Sequence, residues 1–157
     1  MKIVPEHTEV EHEEYVEHYE GHPQRVETKL FKHTKAHMHA HPKGCWIGNG
    51  KCDGGIQIHH NEIEYSAESE IDWEKVKKFS PTFTDVDQEE QMLELCEKHH
   101  TWKAFGTHHM PAPVHKLQRY MKDDILDKYE REVYDLVYKD NPKYFWDEKT
   151  KCVRRIR

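Results

Sequence analysis

From Leu117 onward an apolar side chain recurs at every fourth position: Leu117, Met121, Ile125, Tyr129, Val133 and Val137, with Tyr120 and Leu136 beside them. That period predicts one long amphipathic helix from about Val114 to Tyr138. Its exposed face is laced by Asp124/Lys128, Asp127/Arg131 and Asp135/Lys139, and Asn141-Pro142 stops it. Elsewhere the pattern changes. Ile56-Gln-Ile58 alternates and reads as a strand that delivers His59 and His60. Gln91-Met-Leu-Glu-Leu-Cys96 opens a further ordered stretch running into His99-His100. Residues 61–90 are polar, with a small amphipathic segment around Trp73, Val76 and Phe79, and read as an inserted connection. Thr8-Glu-Val-Glu11 has the form of a capping box, and Tyr15, Val16 and Tyr19 follow at helical spacing, so a short acidic helix is expected over 9–20. Residues 25–41 read as extended, with His37, His39 and His41 alternating on one strand face as plain surface histidines. Glycines crowd 44–55 and mark tight turns. The mixture predicts an α+β fold.

Composition narrows this picture. The chain has 157 residues, of which 34% are charged and 35% hydrophobic, enough for one modest core that a bound metal would help to staple. No long apolar run is present, so no membrane partner is expected. The opening residues turn acidic at once, with no signal-peptide core. A cytoplasmic setting is the expectation, in which four cysteines point to metal or free thiols more than to disulfides. Fifteen histidines stand out, because imidazole is the common neutral-pH metal ligand and acid/base group. The formal charge of −6 argues against indiscriminate coating of DNA. Charge is nonetheless segregated: Glu6 to Glu20 is acidic, whereas Lys149, Lys151, Arg154, Arg155 and Arg157 make a basic end. That end reads equally as a nucleic-acid contact or as a solvated tail.

The chemistry concentrates where cysteines and histidines pair. Cys96 and His99, spaced i and i+3 at a turn entering a helix, can both reach one zinc ion, and Cys45 with Cys52 can complete a Cys₃His set. His100 would then face away from the zinc on the first helical turn. Of His59 and His60, one can share a catalytic cation with His100 while the other faces substrate, which places a base beside a metal as phosphodiester hydrolysis requires.

These residues, Ile56-Gln-Ile-His59-His60 followed by Gln91-Met-Leu-Glu-Leu-Cys96-Glu-Lys-His99-His100, resemble the HNH, or His-Me finger, endonucleases over roughly residues 44–105. The resemblance implies a small zinc-braced ββα-metal core. In it His60 is the general base, and His59 and His100 hold a catalytic Mg²⁺ or Mn²⁺. Cys45, Cys52, Cys96 and His99 hold a structural Zn²⁺. DNA is the expected partner, and the cytoplasm of a bacterial or phage-infected cell the expected setting. Three departures stand out: Gln91 occupies the position of the asparagine that braces the loop carrying the base, six residues instead of two separate Cys45 from Cys52, and His99 replaces a cysteine. Lys98 and Lys103 flank the site as phosphate contacts or as solvated surface.

The expected organisation is an acidic, His-rich extension at 1–43, a nuclease core at 44–110, and a C-terminal helix with a basic tail at 111–157. That helix either covers the core or meets a second copy or a protein partner. His108-His109 is expected in a loop without a ligand role, Cys152 as a free thiol in the tail, and Trp46, Trp73, Trp102 and Trp146 as packing residues. Two rivals remain: a non-catalytic zinc module that binds nucleic acid or protein, and a histidine-rich metal buffer.

Overall fold

A computed structural model describes residues 26–63, 65, 68 and 71–157. The acidic helix expected at 9–20 lies outside the described residues. Within them the chain is α+β, with five α-helices and two two-stranded antiparallel sheets. No helix among the described residues is long and apolar enough to cross a membrane.

The segment expected to be extended is instead helix α1, Lys29–Ala40. Thr28 caps it, its hydroxyl accepting from the Phe31 amide at 3.0 Å. Phe31, Thr34 and Met38 form the buried face, a three-to-four residue spacing that the alternation of His37, His39 and His41 concealed. Phe31 and Met38 pack with Met92 and Ile58, and burying two such side chains contributes roughly 1.5–3 kcal/mol each.

Strand β1, Ile56–His60, pairs with β2, Met92–Cys96, with Ile56 opposite Cys96 and His60 opposite Met92. Between them lie the small helix α2, Trp73–Phe79, capped by Asp72, and a 3₁₀ turn at Glu89–Gln91. Helix α3, Glu97–Thr101, follows β2 directly. Because strand side chains alternate, Ile58 and His60 face α1, while Gln57 and His59 face the other way.

The long C-terminal helix is broken. Helix α4 covers Ala112–Leu117, a turn follows, and α5 covers Asp123–Val133 before one wide π-helical turn at Tyr134–Tyr138. Gln118 fixes the break: its amide donates to the Phe105 carbonyl at 3.0 Å and its own carbonyl accepts from Asn49 Nδ2 at 3.2 Å. The fourfold apolar spacing therefore runs across two helices, and Leu117 and Leu136 are left exposed. Asp127 pairs with Lys51 across the structure instead of with Arg131, which bonds Asp135.

The basic end is not a tail. Strands β3, Tyr144–Asp147, and β4, Cys152–Arg155, form a hairpin. Its three arginines bond acidic groups or carbonyls of the chain itself: Arg154 bonds Asp147 and the Cys52 carbonyl, Arg155 bonds Glu97, and Arg157 bonds Glu97 and Asp53. Cys152, expected in a tail, is fully buried in this hairpin. Val153 joins Trp102, Phe105, Val133 and Tyr138 in the principal core, so residues on both sides of position 111 share one interior.

Candidate metal centre

Cys45, Cys52, Cys96 and His99 converge, their ligand atoms all within 4.8 Å of one another. The His99 Nδ1 atom lies 3.6 Å from Cys45 Sγ, 3.7 Å from Cys52 Sγ and 3.2 Å from Cys96 Sγ. A tetrahedral zinc with Zn–S bonds of ~2.3 Å and Zn–N bonds of ~2.0 Å has S···N edges of about 3.5 Å, so the donor set fits such an ion in both chemistry and spacing. Cys96 ends β2, and the first turn of α3 brings His99 back over it. The glycine-rich knuckle supplies the other two sulfurs. Gly48 and Gly50 hold φ of 50° and 78° there, a left-handed backbone in which only glycine is unstrained, and this closes the six-residue gap.

The knuckle is latched on both sides. Glu94 accepts from the Lys43 and Gly44 amides at 2.9 and 2.7 Å, and the Trp46 amide donates to the Glu94 carbonyl at 2.7 Å. Asp53 accepts from the Arg155 amide at 2.8 Å. The crowded sulfurs polarise one another: donors from Cys52 and Cys96 push the Cys45 thiol far down, while Cys45 and Cys96 push that of Cys52 up. Three thiolates so close repel, and a dication is what lets all of them ionise together.

A second cluster lies on the other side of α3. His59, His100 and His108 bring ligand nitrogens within 4.8 Å of one another, with Nε2 of His108 and of His100 3.0 Å apart. His108, expected to lie in a loop without a ligand role, is thus the third member. Its 3₁₀ turn, Thr107–His109, is folded back against α3 by Gly106, whose position leaves no room for a side chain: a Cβ there would come within 2.6 Å of the His100 carbonyl. Gln57 orients the cluster by accepting from His100 Nδ1 at 2.6 Å, which leaves Nε2 as the lone-pair atom. Burial, then His108 and His100, push His59 down to about 3. Burial and His108 push His100 to about 4. Burial, then His109, lowers His108 as well, so all three rings are pushed toward the neutral form that a metal ligand needs.

His60 lies on the opposite strand face. It is 7% exposed, its ring stacks on Phe31 at 5.6 Å, and Nε2 meets Asp87 at 3.0 Å. Asp87 is itself held by Thr28 Oγ1 at 2.6 Å and is 1% exposed. Gln91 is fully buried and ties down the loop after His60. Its amide oxygen accepts from the Glu62 and Ile63 amides, both at 2.8 Å, and its NH₂ donates to the Ile63 and Val86 carbonyls at 2.9 and 3.1 Å.

Lys98 corrects an expectation. It is wholly buried, with Nζ 2.7 Å from both Glu130 oxygens and 3.2 Å from the Val153 carbonyl, so it cannot contact phosphate. Lys103 is exposed on the groove edge near Thr101 and His109. Gln57 and Asp87 were not singled out, and His108 was set aside as a loop residue, because each acts through a partner more than seven residues away in sequence, and no local spacing marks such a pair.

An α+β fold with a Cys₃His cluster able to hold a metal ion such as zinc is the class of protein defined here. Comparison with protein-family models, with curated proteins and with solved structures found no match.

Proposed function

We propose that this chain is an HNH-type endonuclease that hydrolyses phosphodiester bonds in DNA, built on a zinc-braced ββα-metal core. The observation that carries the reading is the histidine triad of His59, His100 and His108, set on β1, α3 and the turn beyond it. Two antiparallel strands followed directly by a helix, with the Cys₃His cluster bracing that helix, support it. The triad would hold Mg²⁺ or Mn²⁺, which when bound would stabilise negative charge on the phosphate undergoing attack. Imidazole ligands favour Mn²⁺ over Mg²⁺. The resemblance makes His60 the base for the attacking water, a role it would have to fill from the strand face opposite the triad, where Phe31 and Asp87 enclose it. Asp87 fixes its ring and stabilises the imidazolium that forms, as a carboxylate does for a catalytic histidine. Gln91 holds the loop that follows this base.

Supercoiled plasmid incubated with Mn²⁺, with and without chelator, tests the reading. Cleavage is expected with metal alone, and His60→Ala should lower its rate by about 10²- to 10⁴-fold, with zinc content and circular dichroism unchanged. Cleavage by His60→Ala at the wild-type rate removes His60 from this role. His108→Ala should raise the Mn²⁺ concentration for half-maximal cleavage by at least about tenfold; an unchanged concentration takes His108 out of the metal site.

One observation favours a second reading, a zinc module that binds nucleic acid or protein without cutting it: His60 is packed between Phe31 and Asp87 with little surface. Retention of plasmid on the metal-loaded protein with no cleavage under any divalent ion selects that reading.

A further inference from the structure

Helix α1 carries His33 and His37, and its C-cap is His41, so three imidazoles follow one another at four-residue intervals along one face. The last two have the same nitrogen engaged. His37 Nδ1 lies 2.8 Å from a carboxylate oxygen of Glu89, and His41 Nδ1 lies 3.1 Å from the His37 carbonyl. Carbonyl and carboxylate oxygens only accept, so each Nδ1 carries the hydrogen and the neutral ring presents Nε2 as its lone-pair donor. The two rings lie 4.6 Å apart and 35° from parallel. A metal-binding histidine is commonly arranged this way, its second nitrogen committed to a carboxylate or carbonyl.

We propose that His37 and His41 form a surface chelate for a borderline transition-metal ion of the Ni²⁺, Cu²⁺ or Zn²⁺ class, with Glu89 orienting His37. Imidazole donors select such ions over Mg²⁺ or Ca²⁺. The site lies at the C-terminal end of a twelve-residue helix, where the exposed carbonyls favour a cation. Lys43 approaches the other Glu89 oxygen at 3.9 Å, but its side chain is 79% exposed and such a surface pair is weak. The His37–Glu89 contact links the site to the turn that carries Glu89 and Gln91. The same helix holds Asp87 through Thr28 and through Thr34, whose hydroxyl donates to the Asp87 carbonyl at 2.8 Å. The site is independent of the histidine triad and of the Cys₃His cluster, and it stands whether or not the chain cuts DNA.

The chain has fifteen histidines, so the ion count must be read as a difference between proteins. Calorimetric titration of the zinc-loaded 157-residue chain with NiCl₂ is expected to show one more bound Ni²⁺ than the same titration of a His37→Ala/His41→Ala double variant. Thermal melts should show Ni²⁺ raising Tm in the wild type and raising it less in the double variant, with identical circular dichroism before metal is added. Glu89→Ala should weaken the extra site about tenfold, while Glu89→Gln, which keeps an acceptor for His37, should weaken it less. Equal Ni²⁺ stoichiometry in wild type and double variant overturns the site. Unchanged affinity in Glu89→Ala overturns the orienting role of Glu89.

Discussion

Cys96→Ser is expected to abolish tight zinc binding and leave the purified protein largely unfolded at 25 °C. Cys96 sits at the junction of β2 and α3, is 1% exposed, and makes the shortest approach to His99, at 3.2 Å. Its loss removes a donor from the one point where the knuckle, the strand pair and the helix meet. Structural zinc contributes on the order of 10 kcal/mol in small domains, whereas whole domains are stable by only about 5–15 kcal/mol. The metal term is therefore comparable with the entire stability, and a core this poor in apolar side chains has little to replace it. Cys152→Ser is the matched control. Cys152 is equally buried but lies in β4, with Thr150 Oγ1 3.1 Å from its sulfur, and it belongs to neither metal cluster. Zinc stoichiometry by atomic emission and a far-ultraviolet melt separate the two. Full zinc and a wild-type melt in Cys96→Ser would remove the cluster as a structural brace.

Glu130→Ala is expected to destabilise the fold by about 3–5 kcal/mol. Glu130 is 2% exposed and receives both the Lys98 ammonium, at 2.7 Å, and the Val153 amide, at 2.9 Å. Truncation strands a lysine charge in the interior, beside the Phe105 ring that its Nζ faces at 4.3 Å, and also releases β4 from α5. The cost is mainly that of an uncompensated charge, which makes a further result checkable. A Lys98→Met/Glu130→Leu double variant should recover a large part of the loss, because an apolar pair of similar volume replaces two charges that both had to leave water. Urea denaturation of the three proteins with zinc bound measures this. If the double variant is as unstable as Glu130→Ala, the loss comes from the Val153 anchor and not from the stranded charge. The same pair explains why Lys98 is out of reach of any phosphate: in the first turn of α3 its side chain runs inward toward the hairpin.

Local chemistry made part of the molecule legible. The alternation in Ile56-Gln-Ile58 marked β1, and the order Cys45, Cys52, Cys96, His99 marked the cluster, because glycine-permitted turns and an i, i+3 step at a helix start constrain geometry over a few residues. An amphipathic segment around Trp73, Val76 and Phe79 was visible as well, though read only as part of a connection, and it is helix α2. Where two periods were both present, the sequence was ambiguous. His37, His39 and His41 alternate, yet Phe31, Thr34 and Met38 follow the helical spacing, and the buried set decided the structure because packing against Met92 and Ile58 outweighs exposed imidazoles.

Donor types, their spacing, the alternation that makes β1 and the step from Cys96 to His99 were therefore settled by the chain itself, since these depend on covalent geometry and backbone preference over a few residues. The break at Gln118, the folding back of Arg154, Arg155 and Arg157 onto Asp147, Glu97 and Asp53, the burial of Lys98 on Glu130, and the arrival of His108 beside His59 and His100 were decided only in three dimensions. Each depends on which distant group is present to accept a hydrogen bond, balance a charge or exclude water. The energy of such a contact is set by the local dielectric and the partner, neither of which can be read from neighbouring residues in the chain.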